Sequence, residues 1–223
     1  MNIWFIMIVI MVLSMLVQYM LQSRFNQYSQ VGLPTGMTGA EVAQKMLHDH
    51  GIYNVKVVPT RGMLTDHFNP QTMTVALSES VYASRSVAAA AVAAHECGHA
   101  VQHALGYAPL RMRSALVPMV NFASNIVQWV LLAGVIFMNV FPGLLWIGII
   151  LFATTTLFSF VTLPVEINAS SRAITWLSRT GITDDRTRPM AIDALKWAAY
   201  TYVVAALGSL ATLLYYIGLA RRD

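Results

Sequence analysis

Four stretches of this chain contain no Asp, Glu, Lys or Arg, and they limit its folds more than any other feature: Ile3–Leu21, Leu116–Met138, Leu144–Leu163 and Ala198–Leu219. A helix needs roughly 20 apolar residues to cross the hydrocarbon core of a bilayer, and each stretch supplies them. Lipid offers no partner to loose backbone N–H and C=O groups, so each stretch is expected to be helical where it crosses. Composition points the same way. Hydrophobic residues make up 57% of the chain and charged residues 11%, where a soluble domain carries about 25% charged. Ile3–Leu21 reads as an uncleaved anchor, because no basic region precedes it and no small-residue cleavage site follows.

The remaining residues fall into two polar regions, 22–115 and 164–197. Only Asn139–Gly143 separates the second and third apolar stretches, and Phe141-Pro142-Gly143 is turn chemistry, so a tight helical hairpin is expected there. Four crossings put both polar regions on one side of the membrane. They hold twelve of the 14 Lys and Arg, against Arg221 and Arg222 on the other side. The positive-inside rule then places both regions in the cytoplasm and both termini outside. The net charge of +4 comes from residues flanking apolar stretches, with no dense basic run. That favours a membrane surface over nucleic acid as the partner. The single cysteine, Cys97, excludes an intrachain disulfide framework.

Within 22–115 the pattern predicts a small α+β unit. Thr38-Gly-Ala-Glu41 is a capping box that opens a helix to about His50, and Gly51 is placed to end it. Tyr53–Val58 and Thr72–Leu77 read as two strands forming a hairpin, with Asp66 and His67 in the turn-rich segment between them. Ser84 or Ser86 can cap a long Ala-rich helix over about 86–104, which Gly106 and Pro109 break.

That helix contains His95-Glu96-Cys97-Gly98-His99. Residues i and i+4 lie one above the other on a helix, so both imidazoles can reach one ion. The glutamate beside them is placed to activate an attacking water, which is zinc-hydrolase chemistry. The competing reading is a buried polar patch, which would be costly without partners. A catalytic zinc takes three protein ligands and keeps a fourth position open. A third histidine at the metzincin spacing would fall at Leu105, which excludes that class. Glu166 is the glutamate of the second polar region and follows directly on the third apolar stretch, which makes it the first candidate for third ligand. The alternative is an interfacial charge that ends a transmembrane helix.

His103 lies one turn past His99, either lining the site or structural. Asp66 and His67 are candidates for substrate or transition-state contact, His67 as an oxyanion donor; a plain turn role competes. Arg172 either faces the scissile carbonyl or anchors the chain at the membrane face. Cys97, two residues from His95, points away from the metal side. Asn121, Asn125 and Gln128 lie at helical spacing within the second apolar stretch, where they either line a polar cleft leading to the site or, as the default, hydrogen-bond between packed helices.

HECGHA followed by PVEINASSRA resembles the YugP-type membrane neutral zinc metallopeptidases of bacteria. Gly62–Pro70, Val75–Glu79 and the placement of the four apolar stretches resemble that family too, so the likeness covers nearly the whole chain. More distantly the pattern is similar to gluzincins of the HtpX and CAAX-prenyl endoprotease kind. Those carry a Glu-x-x-Ala-Asp helix, a frame filled here by Glu166, Ile167, Asn168, Ala169 and Ser170. The resemblance implies a zinc endopeptidase of the bacterial cytoplasmic membrane, with one catalytic Zn2+ and Glu166 as third ligand. Ser170 stands where the distant relatives have Asp. Asn168 or Ser170 is then expected to accept the other N–H of a ligand histidine.

The expected architecture is a mainly α membrane protein. A transmembrane helix over 1–22 precedes a zincin-like catalytic region over 23–115. A transmembrane hairpin follows over 116–163, then membrane-surface helices over 164–197 carrying the third ligand, then a last helix and tail over 198–223. The expected substrate is a membrane-associated protein or peptide, with the lipid bilayer as partner, no nucleic acid and no specified regulatory protein. Two other functions compete. An intramembrane site-2-type protease needs its H-E-x-x-H inside a spanning helix, but only eight apolar residues separate Arg85 from His95 once Ser86 is set aside. A non-catalytic scaffold with a closed zinc site needs a fourth protein ligand.

Overall fold

The computed structural model describes residues 3–62 and 64–221. Arg222, counted above on the minor side of the charge balance, lies outside them. In chain order the elements are α1 (Ile3–Ser29), α2 (Gly39–Asp49), β1 (Lys56–Thr60), β2 (His67–Asn69), β3 (Thr74–Ser78), α3 (Glu79–Tyr82), α4 (Val87–Ala104), α5 (Ala108–Ile136), α6 (Pro142–Arg179) and α7 (Arg188–Ala220). Among the described residues α1, α5, α6 and α7 are long and apolar enough to cross a membrane, and α4 is not. The protein is a mainly α membrane protein with one small sheet, as its composition requires.

The chain divides into two compact units. The first takes the residues up to Leu16, Arg111–Pro164 and the residues from Thr201 on. Its apolar packing includes Leu131 of α5 against Leu145 and Ile149 of α6, with Leu213 and Ile217 of α7. The second unit takes Val17–Leu110 and Val165–Tyr200. Its core is built on α4. Ala88–Ala91, Ala93 and Ala94 are completely buried, packed in one cluster with Val42, Met46 and Leu47 of α2, Val75 and Leu77 of β3, and Ala173, Trp176 and Leu177 of α6. Alanine combines the best helix propensity with the least bulk, so neighbours approach α4 closely on every side.

Local signals account for the short elements. The capping box at α2 is complete: Glu41 N–H donates to Thr38 Oγ1 at 3.2 Å, and Thr38 N–H donates to Glu41 Oε2 at 2.7 Å. Ser86 caps α4 by accepting from Ala89 N–H. Beyond Leu105, Gly106 takes φ +61°, which ends that helix. Pro109 belongs to the first turn of α5, and Pro142 is the first residue of α6. Both were expected as breakers or turn residues. A helix start tolerates proline because its missing N–H has no intrahelical partner there.

The strands differ from the sequence expectation. They begin later than expected, and they do not form the expected hairpin. β1 pairs in parallel with β3, Val57 opposite Val75. The hairpin partner of β3 is β2, antiparallel, Phe68 opposite Val75, giving the order β1-β3-β2. The segment after β1 is long enough to cross over and return. The three-residue β2 that it carries is too short to leave an alternating pattern. Asp66 and His67 therefore lie at the head of an edge strand, not in the turn of a β1–β3 hairpin.

The second difference concerns Glu166. Separate membrane-surface helices were expected from 164 on, but α6 runs unbroken from Pro142 through Pro164 to Arg179. Proline withdraws one N–H from the ladder, and the helix continues regardless.

Candidate metal centre and active site

Helix α4 presents His95 and His99 one turn apart, with their rings edge-to-face and centroids 4.8 Å apart. Helix α6 brings Glu166, nearly fully buried, up to both. Glu166 Oε2 lies 3.3 Å from His95 Nε2 and 3.5 Å from His99 Nε2. The candidate donor atoms of the three residues all lie within 4.8 Å of one another. Zinc–nitrogen and zinc–oxygen bonds of roughly 2.1 Å give a tetrahedral edge of about 3.4 Å, so these separations suit donors sharing one ion. A charge-assisted N–H···O bond would be shorter, about 2.7–2.9 Å. Two imidazoles and one carboxylate are also the donor set of a catalytic zinc site with a position left for water. The residues fit the metal.

The helices meet closely here because of Gly98, inside the motif. A Cβ at that position would stand 2.6 Å from the Ala169 carbonyl oxygen. Only glycine lets the α6 backbone come near enough for Glu166 to reach the two imidazoles.

Both histidines are also held at their other nitrogen. His95 Nδ1 is 3.0 Å from Ser170 Oγ. His99 Nδ1 is 3.1 Å from Gln102 Oε1. The Gln102 amide nitrogen donates to Val165 O at 2.8 Å and to Asn168 Oδ1 at 3.0 Å. Its oxygen is therefore the acceptor, and His99 Nδ1–H is the donor. That fixes the tautomer and leaves the Nε2 lone pair facing the centre. Ser170 Oγ lies against His95, while Asn168 touches Gln102 and not a histidine. The sequence reading passed over Gln102, and its spacing was the available signal: it lies three residues after His99 on the same helix.

Electrostatics in the metal-free protein follow from this crowding. Burial pulls the His99 imidazole down, but the nearby Glu166 and Glu96 carboxylates outweigh it, and its pKa lies above the ordinary value. Burial, with the Glu96 charge adding to it, pushes the Cys97 thiol up. Cys97 Sγ points to Ala43 O on α2, so it packs away from the centre and is not a reactive thiol.

Glu96 lies between the histidines in sequence and is almost buried. Its Oε2 accepts from Phe68 N–H at 3.1 Å. That N–H points at Glu96 and not at β3, so the outer edge of β2 borders the glutamate. His67 heads the same strand, exposed, with Nδ1 2.8 Å from Thr65 O. Asp66 is occupied elsewhere: its Oδ1 accepts from Ser78 N–H at 2.7 Å and its carboxylate from Ser78 Oγ, which ties β2 to the end of β3. Arg172 donates from Nε to Asn168 Oδ1 at 2.8 Å. His103 is exposed, its ring 5.8 Å from that of Phe68.

A family profile described as "putative neutral zinc metallopeptidase" matches residues 3–221. The chain belongs to this family. Its family-wide match takes in both units and all four long apolar helices. The chain is also 43% identical over 205 residues to the "putative membrane protease YugP" of Bacillus subtilis (strain 168), covering 92% of this chain and 90% of the relative. No solved structure matches it. The chain thus belongs to a zinc metallopeptidase family and carries four helices long and apolar enough to cross a membrane.

Proposed function

We propose that the protein is a membrane zinc metalloendopeptidase in which His95, His99 and Glu166 hold one zinc ion and Glu96 serves as general base and acid. The observation that carries the proposal is the convergence of two imidazole Nε2 atoms and one carboxylate oxygen, with Glu96 beside them. A bound zinc supplies Lewis acidity and lowers the pKa of water towards 7. Everything else falls to the protein. Glu96 Oε2 is steadied by Phe68 N–H, so Oε1 takes the proton of the attacking water and passes it to the leaving amine. Ser170 and Gln102 hold the two imidazoles in the ligating orientation.

The substrate is read as an extended peptide added along the outer edge of β2, where backbone hydrogen bonding would run it past Glu96. His67, exposed at the head of that strand, is the candidate oxyanion donor. Arg172 steadies Asn168 and, through it, Gln102. The position of Glu166, three residues past the apolar stretch of α6, favours substrates at or near the bilayer. The charge balance favours a cytoplasmic site with both termini outside. Cysteine accessibility in whole cells tests this: a cysteine at Asp185 should resist an impermeant maleimide that labels one at Arg221.

The deciding experiment pairs metal analysis with a cleavage assay on purified protein. Glu96→Gln should keep its zinc and lose at least about a hundredfold in turnover, the scale of general-base catalysis. Glu166→Ala and His99→Ala should lose the zinc itself. Full zinc occupancy and activity in Glu166→Ala would remove the third ligand from the proposal.

A further inference from the structure

Helix α5 carries Asn121, Asn125 and Gln128 at i, i+4 and i+7, and so on one face of the helix. All three are exposed. Among the described residues none of their side-chain amides has a hydrogen-bond partner within the chain. The default for such residues, bonding to a packed neighbouring helix, does not hold inside this molecule. Depth makes the omission costly. At 1.5 Å per residue Asn125 lies about 14 Å beyond Leu116 and about 17 Å before Ile136, where α5 ends, near the middle of a hydrocarbon core roughly 30 Å thick. Polar side chains at that depth face a protein partner or a water-filled cavity. Gln128 has a cavity at hand, of about 390 Å³, bordered also by Ser124, Thr155, Thr212 and Tyr216. Asn121 and Asn125 do not border it.

We propose that this face of α5 is a homodimer interface, covered in the membrane by the same face of a second copy. The argument for a second copy is self-complementarity. Two copies with the same orientation in one bilayer are related by a two-fold axis along the membrane normal, and their α5 helices run parallel. Each residue near the axis then meets its own equivalent. A carboxylate, an ammonium or a guanidinium in that position would meet its like charge. A carboxamide carries two donors and an acceptor and pairs with itself. Asn121 and Asn125, one turn apart, form two such rungs, and interhelical amide bonds of this kind hold transmembrane helices together. The proposal concerns α5 alone and is independent of the proteolytic reading.

The test uses the full-length protein reconstituted in phosphatidylcholine vesicles, with self-association read by energy transfer between labelled copies as the protein is diluted in lipid. The wild type should dimerise. Asn121→Leu/Asn125→Leu should weaken association about tenfold or more, as expected for two lost interhelical pairs. Asn121→Gln/Asn125→Gln, which keeps the carboxamides, should retain most of it. Leucine at lipid-facing sites favours insertion, so failed folding is not the expected result, and an unchanged far-UV circular dichroism spectrum of the leucine variant would check that. Crosslinking gives a second measure, because the native Cys97 is buried. Asn125→Cys should form a disulfide dimer, whereas Leu207→Cys, at an exposed position on α7, should not. A wild type that stays monomeric at every dilution would overturn the proposal, since the amides then have some other occupant. So would a leucine variant that associates as well as the wild type.

Discussion

His99 comes to the candidate metal centre with its proton already placed, because the Gln102 amide nitrogen is committed to Val165 and Asn168 and only the oxygen remains to accept. Gln102→Leu would strand the buried His99 N–H, because Asn168 Oδ1 keeps Arg172 and the Val165 carbonyl stays in the α6 ladder. Each buried group left unpaired costs about 1–3 kcal/mol, and the lost orientation should weaken zinc binding about 10–100-fold. Competition with a chromophoric chelator measures the second effect. The raised His99 pKa adds a pH dependence with a definite sign. In metal-free protein the protonated imidazole, held by its carboxylate neighbours, stabilises the fold. That contribution is fully present below about 6.5, the ordinary histidine value, and is lost as pH rises through the elevated folded pKa. Zinc must displace the same proton, so affinity should rise over the same window, up to about tenfold per pH unit per proton. Zinc titrations at either end of the window check this; affinity that is flat or falls with pH would contradict it.

At the scale of elements, the meeting of α4 and α6 depends on a missing side chain. Gly98→Ala would drive a methyl group to 2.6 Å from the Ala169 carbonyl, so the helices must part. The variant should lose zinc affinity while keeping every ligand, and should lower the thermal midpoint by several degrees; metal analysis and calorimetry read the two effects. Helix α4 was legible in the sequence because its signals agree: a serine cap, an alanine run, the i, i+4 histidines and a terminating glycine. The capping box of α2 was legible for the same reason. Strand β2 was not, because three residues are too few for an alternating pattern, and the parallel pairing of β1 with β3 depends on where β2 goes. The continuity of α6 was hidden by Pro164, which locally signals a boundary and is overridden by packing on both sides. Gln102 stayed unread because the acceptor was sought at Asn168 and Ser170, and on α4 attention went to its neighbour His103.

For the molecule as a whole, the candidate site lies within one compact unit, which includes residues 17–110 and 165–200. Stripping the metal should therefore lower the stability of that unit and leave the helical content of the long apolar helices largely intact. Zinc binds the folded chain, so its removal costs the linkage energy, about 4 kcal/mol when free zinc is a thousandfold above its dissociation constant. Far-UV circular dichroism with and without chelator, alongside calorimetry, would check this; collapse of the whole helical signal on chelation would show the two units to be one cooperative block. Helix α6 serves both units. Its early part buries Leu145 and Ile149, its later part buries Glu166, Ala169 and Ala173, and no break intervenes. Each residue added to a helix turns everything beyond it by about 100°. One alanine inserted between Glu166 and Ala169 would swing the carboxylate out of phase with the face, Ala169 and Ala173, that lies against α4. Ion capture and helix packing are marked off on a single ruler, and only a change close to a whole number of turns leaves both readings true.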